Sequence, residues 1–521
     1  MALQLHVTAA IFAIVLAVIL WHYDDRQNHV KGKKLPPGPK SLVFIGNSHQ
    51  LSPTYMQKQL TEWKLKYGDI IYARLFQKPV IILNSVQSAQ DLLDKKSSIY
   101  SDRPHTILYD QILGWVADMA FMQYGERWKK HRKWAQSAYN DKTTLKTYRP
   151  VRTREVYALL SGFLNTPDKF HTHIKRYVAA LIMETAYGHT ITSADDDYVR
   201  MADEALVATT EAGIPGATVI DIFPILRYIP PWVPGASFMR HAIKARPLVE
   251  AAADIPYLNV KQSMASGTAK PSFVLSLLRD SITAGKMTKE HEDDIKGLAA
   301  VLYGGKALHT SSVLLTFMLV MTLFPYALQK AQEELDRVVG RHRLPDLEDR
   351  ESLPYLDSLI KEVYRWDCPL PLAIPHRVME DDEYSGYYIP KGSMVIPNIW
   401  SLFMMKDPTM FADPERFWPE RFLEMSASEA QQKNPGNFVF GFGRRICPGR
   451  HFADENIWLA VACTASLFNI QKARDIHGRE IIPDPVFNSG VVSHPKHFDC
   501  EIRPRSEDAV KLLFGYTNSL L

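Results

Sequence analysis

Apolar and polar positions change their rhythm several times along the chain. The first run, Val7 to Trp21, carries no charge and ends among Trp21 and Tyr23. With Leu3 to His6 included it approaches the roughly 20 residues that cross a bilayer. The basic residues Arg26, Lys31, Lys33 and Lys34 follow the run rather than precede it, and no small-residue cleavage pattern closes it. This pattern predicts an uncleaved transmembrane anchor over residues 1–23, with the rest of the chain on the cytosolic side. Residues 24–40 read as a basic, proline-rich linker, since Pro36, Pro37 and Pro39 fix the backbone and deny it helical hydrogen bonds.

Beyond the linker, "DIIYARLFQKPVIILN" alternates like a strand pair with its turn at Gln77 to Pro79. From Ser85 to about Gly340 the spacing becomes helical, as in "SAQDLLDKK", Ser272 to Leu278 and "PYALQKAQEELDRVVG". The last stretch has Pro325 near its start and Gly340 past its end, the usual punctuation of a helix. Strand-like residues return at Glu383. The expected class is mainly α with minor β-sheets, one large domain over 41–521, and a single N-terminal transmembrane helix. One stretch breaks the regularity. "DIFPILRYIPPWVPGASF", Asp221 to Phe238, is a proline-broken apolar run that reads either as a loop packed on the core or as a lid dipping into the membrane that the anchor spans.

Composition narrows the class without naming a chemistry. Of 521 residues 46% are hydrophobic and 23% charged, which fits a folded globular chain. A net charge of +4 without a long basic block gives nucleic-acid binding no electrostatic support. Four scattered cysteines, Cys368, Cys447, Cys463 and Cys500, are too few for a disulfide framework and point to a reducing compartment. No CxxC or HExxH spacing supports a zinc site.

The chemistry-bearing stretch is "NFVFGFGRRICPGRHFADENIWLAVACTASLF". A cysteine before a helix is, by itself, more often a small buried residue than a ligand. Here Gly441, Gly443 and Gly449 permit a tight loop, Pro448 stiffens it, and a helix starting near Arg450 offers its N-terminus to negative charge. Such surroundings favour a thiolate, the form that binds metal. Arg445 adds a cation suited to a carboxylate.

Phe440, Gly443, Arg445, Cys447 and Gly449 meet every fixed position of Phe-x-x-Gly-x-Arg-x-Cys-x-Gly, and the chain resembles the cytochrome P450 family of haem-thiolate monooxygenases. Further matches extend over nearly the whole chain after Leu35. The resemblance implies the P450 fold and haem b, with Cys447 as axial thiolate to the iron and Phe440 and Arg445 beside the cofactor. It also implies that Trp128 and Arg132 in "GERWKKHRKW", and His376 in "PLAIPHR", hold haem propionates. Alone, Trp128 and Arg132 would read only as one face of a basic amphipathic helix. Likewise Glu362 and Arg365 would pass for an i,i+3 surface pair, whereas the resemblance joins them to Arg421 in a buried triad supporting the haem loop. Lys129, Lys130, Arg132 and Lys133 suit docking of an acidic electron donor. The anchor and "LPPGP" resemble the microsomal branch, which implies a single-pass protein of the endoplasmic reticulum membrane served by NADPH–cytochrome P450 reductase. The closest likeness is to fungal secondary-metabolism members. Apolar segments at His105 to Phe121, Leu302 to His309 and Leu370 to Ile374 are the implied pocket walls, fitting a lipophilic small molecule such as a terpenoid, polyketide or indole.

One helix departs from the family. Over the distal haem face the pattern Ala/Gly-Gly-x-Asp/Glu-Thr-Thr supplies an acid and an alcohol that help deliver protons. Aligned without gaps from Tyr303 to Pro325, this chain places Gly305 and Lys306 on the small pair, Leu308 on the acid and His309 on the first Thr. A one-residue slip would restore Thr310 but break the spacing to Pro325. Leucine cannot relay a proton, whereas a histidine with an ordinary pKa near about 6.5 can. His309, with Thr310, is therefore the expected catalytic pair. Lys306 either extends its ammonium to water or meets an acidic group of the substrate. Two alternatives stay open: an atypical enzyme that rearranges, dehydrates or couples an oxidised substrate without inserting oxygen, and a haem-binding protein without catalysis.

Overall fold

A computed structural model describes residues 29–30, 32–115, 117–193, 195–213, 216–403 and 410–520, and leaves the side chains of 29–30, 306–308, 402–403 and 516–520 undescribed. The anchor expected over 1–23, and the orientation expected of the Lys306 side chain, lie outside the described residues. The chain forms two compact units, one from Met1–Pro104, Leu372–Leu402 and Phe442–Arg445, the other from His105–Pro371, Phe403–Gly441 and Ile446–Leu521.

The first unit is built on a four-stranded sheet. After helix α1 (Met56–Tyr67) come β1 (Ile70–Leu75) and β2 (Lys78–Leu83), then β3 (His376–Arg377) and, past the hairpin of β4 (Asp382–Tyr384) and β5 (Tyr387–Ile389), β6 (Met394–Pro397). The sheet order is β1-β2-β6-β3, with β2 and β6 parallel. Strands β1 and β2 form the expected pair, but the turn closes earlier than expected: Leu75 already pairs with Lys78, and Arg74 with Pro79. Pro79 is tolerated in the strand because Arg74 finds both its backbone partners in Asn47: its N–H donates to Asn47 Oδ1 at 2.8 Å and its C=O accepts from the Asn47 N–H at 2.7 Å, so the missing proline donor orphans nothing. The stretch beginning near Glu383 is a hairpin whose turn residues Ser385 and Gly386 both have positive φ, as a two-residue type I′ turn demands. Ile71, Ile81, Leu83 and Val395 are fully buried in this sheet.

The second unit is helical. Its principal helices are α2 (Glu126–Tyr139), α3 (Arg149–Asn165), α4 (Phe170–Tyr187), α5 (Asp197–Thr210), α6 (Ser237–Ala265), α7 (Phe273–Thr283), α8 (Lys289–Leu323), α9 (Pro325–Val338), α10 (Pro354–Trp366) and α11 (Arg450–Leu467), with an antiparallel pair β7 (Phe468–Lys472) and β8 (Cys500–Pro504). Helix α4 is buried around most of its circumference, from Ile174 and Tyr177 through Ala186, and α8 and α11 pack into the same core. All-round burial explains why these helices read as apolar without a clear polar face. Helix α8 starts at an N-cap in which Thr288 Oγ1 accepts from His291 N at 3.2 Å, and runs unbroken to Phe324, where Pro325 begins α9. Among the described residues it is the one helix long and apolar enough to cross a membrane, but most of it is buried in this unit, so it is a core helix.

The Asp221 to Phe238 run is split: Leu226, Ile229, Val233 and Phe238 pack against a buried cluster. Ile225, Tyr228 and Trp232 face outward and are exposed, Trp232 by 80%.

Candidate functional site

Within the second unit, α11 begins three residues after Cys447, with Gly449 at its N-cap. The Cys447 N–H donates to Phe440 O at 2.8 Å, closing the loop across the six residues between them. Cys447 is half-buried. Phe440 packs edge-on to Tyr364 of α10 at 6.1 Å. In the first unit, Gly443 has φ +52, and a Cβ there would lie 2.1 Å from Leu93 O, so only glycine fits.

The triad that the resemblance implies is present and buried. Arg365 Nε and Nη2 each donate to Glu362 at 2.8 Å, a bidentate pair on one face of α10. Arg421 Nε reaches both Glu362 oxygens at 3.1 and 3.2 Å, and the Trp418 N–H adds a third donor residue at 2.8 Å. Remaining guanidinium N–H groups go to the carbonyls of Pro414, Ala412 and Arg416. All three charged side chains are almost fully buried. A buried triad with this many satisfied bonds can hold its geometry, whereas removing one member would strand a charge.

Helix α2 divides its side chains between two tasks. Trp128 is buried, its ring 5.2 Å from that of Tyr124, and Arg132 Nη1 donates to Ile446 O beside Cys447. Burial lowers the Arg132 pKa, and the charge at Cys447 opposes that shift. On the neighbouring face, Arg127 Nε (2.7 Å), Lys130 Nζ and His131 Nε2 (3.0 Å) converge on the buried carboxylate of Asp294 in α8. Lys129 pairs with Glu126 at 2.7 Å. The basic surface expected on α2 is thus smaller than its sequence suggests, because Lys130 and Arg132 are committed to internal partners. Asp294 could not be found from spacing, since it lies 164 residues from Lys130.

His376 and Arg445 belong to the first unit and are both buried. His376 Nδ1 lies 2.7 Å from Tyr100 O, Arg445 Nε donates to Ser101 O at 2.7 Å, and Arg103 Nη1 donates to Ile374 and Pro375 carbonyls at 2.7 and 2.8 Å. Burial, then the charges of Arg103 and Arg445, hold His376 well below its ordinary pKa. A neutral ring bonded to a carbonyl through Nδ1–H presents Nε2 as an acceptor. Buried cations around such a ring fit an anionic group, which would offset both guanidinium charges. Arg103 is the member of this cluster that the sequence reading missed.

On α8, Thr310 is buried and His309 half-buried. Burial pushes the His309 imidazole down to about 4. The histidine is therefore neutral near pH 7, not the near-neutral titrating group its ordinary pKa implies. A neutral imidazole still accepts at one nitrogen and donates at the other.

Residues 36–502 match the family model described as Cytochrome P450. Cytochrome P450 monooxygenase 176 of Postia placenta is 44% identical over 479 residues, covering 92% of each chain. Cytochrome P450 monooxygenase 136 of the same fungus is 44% identical over 498 residues, covering 96% of this chain and 93% of its own. Cytochrome P450 monooxygenase claR of Ampulloclitocybe clavipes is 38% identical over 509 residues, covering 97% of this chain and 92% of its own. A cysteine loop at a helix N-terminus, a buried Glu–Arg–Arg triad and this extended similarity agree: the chain belongs to the cytochrome P450 family, enzymes that carry haem b on a cysteine thiolate.

Proposed function

We propose that residues 41–521 form a haem-thiolate catalytic domain that inserts oxygen into a lipophilic metabolite, of terpenoid, polyketide or indole class, with electrons from an NADPH-dependent reductase. The observation that carries this reading is the Cys447 loop, closed onto Phe440 O and placed three residues before α11. Thiolate-ligated haem supplies dioxygen activation and O–O cleavage. In this assignment Cys447 would ligate the haem iron, Phe440 would lie beside the cofactor, and Trp128, Arg132, His376 and Arg445 would hold the propionates. His376 gains its second hydrogen bond only with an anion present to stabilise the imidazolium, which the neighbouring guanidinium groups otherwise oppose.

His309 and Thr310 move the protons. A neutral imidazole accepts a proton at one nitrogen and releases one from the other, and the Thr310 hydroxyl extends the path by one hydrogen bond. Leu308 contributes no proton-bearing atom. Residues 1–23 anchor the chain in the endoplasmic reticulum membrane, and 24–40 link anchor to catalytic domain. The exposed Ile225, Tyr228 and Trp232 support contact with that membrane, since large apolar side chains gain from leaving water. Lys133, exposed on α2, remains for an acidic reductase surface.

Spectral titration of the purified protein with terpenoids, polyketides and indoles, followed by product analysis under labelled dioxygen, tests the assignment. Product carrying one labelled oxygen atom supports it. The missing acid on α8 favours a second reading, rearrangement or coupling of an oxidised substrate, and unlabelled product would establish that one instead.

A further inference from the structure

Three buried polar side chains in the second unit form a clip that the proposed chemistry does not use. Ser312 Oγ of α8 donates to Ser493 O at 2.5 Å. The Ser493 N–H donates to Pro369 O at 2.9 Å, and Ser493 Oγ donates to Asp367 Oδ1 at 3.2 Å. Ser312, Ser493 and Asp367 are 1%, 2% and 4% exposed. Asp367 Oδ2 is buried with no hydrogen-bond partner among the described residues. Burial drives the Asp367 carboxyl far above the carboxylate range, so it is a neutral acid.

Burying polar groups costs free energy unless their bonds are made, so their position calls for a reason. Here the bonds join three segments distant in sequence. Asp367 and Pro369 follow the end of α10, where regular backbone pairing has stopped. Ser493 lies in the turn between Val486 and Lys496, which closes on itself through Asn488 N to His494 O and Lys496 N to Val486 O, both 2.9 Å. Ser312 lies three residues along α8 from His309, on the same face of the helix. A turn that is rigid within itself still needs an outside contact to fix it against a helix, and Ser493 makes that contact in both directions.

We propose that Asp367 is a positioning residue for the distal site: it holds Ser493, Ser493 holds Ser312, and the face of α8 bearing His309 is thereby fixed against the 486–496 turn. This rests on reading α8 as a wall of the haem pocket. Its consequence is selection by ligand size. A bulky ligand that touches the wall loses a pre-organised surface when the clip is broken, while a small one is indifferent.

The test uses the full-length holoenzyme and two iron-ligating probes read by their Soret shifts, imidazole itself and the triarylmethyl imidazole clotrimazole. In Asp367→Ala and Ser312→Ala, clotrimazole affinity falls about three- to tenfold, the usual worth of a buried hydrogen bond, while imidazole affinity changes less than about twofold. The double variant is no worse than the weaker-binding single, as expected of one coupled unit. Asp367→Asn keeps a neutral acceptor for Ser493 Oγ and binds both probes like the wild type. Parallel shifts for the two probes, a tighter clotrimazole complex, an additive double variant, or Asp367→Asn as damaged as Asp367→Ala would each overturn the proposal. Ser312→Ala removes only one hydroxyl, so the test survives a failure of the Asp367 variants to fold. A wild-type carbon monoxide spectrum without the thiolate band defeats the underlying haem reading, whereas a normal band with parallel shifts defeats the clip alone.

Discussion

Cys447 and helix α8 sit in the same helical unit and follow opposite rules. Around Cys447, every fixed position of the family pattern is present, and the buried triad of Glu362, Arg365 and Arg421 is fully bonded behind it. On α8 the helix is intact and well packed, yet the acid and alcohol places hold Leu308 and His309. The difference teaches that the machinery for holding a cofactor and that for feeding it protons answer to separate constraints. Holding requires fixed charges and one thiolate at set distances. A proton path requires only a chain of groups able to accept and donate, and an imidazole satisfies that as an alcohol does.

The comparison can be broken most severely at Cys447. Cys447→Ala leaves the second unit folded but without a thiolate, so the carbon monoxide difference band of thiolate haem and all turnover are expected to vanish. Retention of that band would move the ligand elsewhere. Next comes Glu362→Gln, which removes the shared anion of two buried guanidinium groups and is expected to cost about 3–5 kcal/mol. The haem-to-protein ratio of the purified variant, together with its thermal midpoint, measures this, and a ratio equal to the wild type would deny the triad its supporting role.

The smallest effect is one of pH. In the folded chain His309 is held down to about 4, whereas in the unfolded chain it titrates near about 6.5. Between those values the unfolded state binds the extra proton, so stability is complete above pH about 6.5 and is lost as pH falls toward 4. Allowing for its partial exposure, His309 contributes about 2 kcal/mol to that loss. His309→Gln should therefore flatten the acid limb of a melting-temperature profile while leaving the neutral region unchanged. An identical limb in both proteins would show that His309 is not desolvated.

How far the sequence revealed these features depends on the distance between partners. The helices of the second unit and the strand pair were legible from periodicity, because each signal is local. The β1–β2 turn came out displaced because Pro79 reads as a turn residue until Asn47, 27 residues from Arg74, is seen to satisfy both backbone groups of the residue opposite the proline. Glu362 and Arg365 show the limit of spacing alone: three residues apart on a helix they look like a surface pair, but both are fully buried, with Arg365 against the Phe411 ring and Arg421 on Glu362 completing a core triad. Asp294 under α2, Arg103 beside His376 and the Asp367–Ser493–Ser312 clip had no sequence signal, since each joins residues brought together only by folding. The same is true of the His309 pKa, which burial sets.

The most direct test of the contrast between an intact cofactor loop and a rebuilt proton path is His309→Ala, assayed on one preparation for its carbon monoxide spectrum and for product formed per NADPH consumed. The account predicts an unchanged thiolate band with a rate of product formation lowered about a hundredfold and NADPH diverted to peroxide. An unchanged band with wild-type rate and coupling would contradict it.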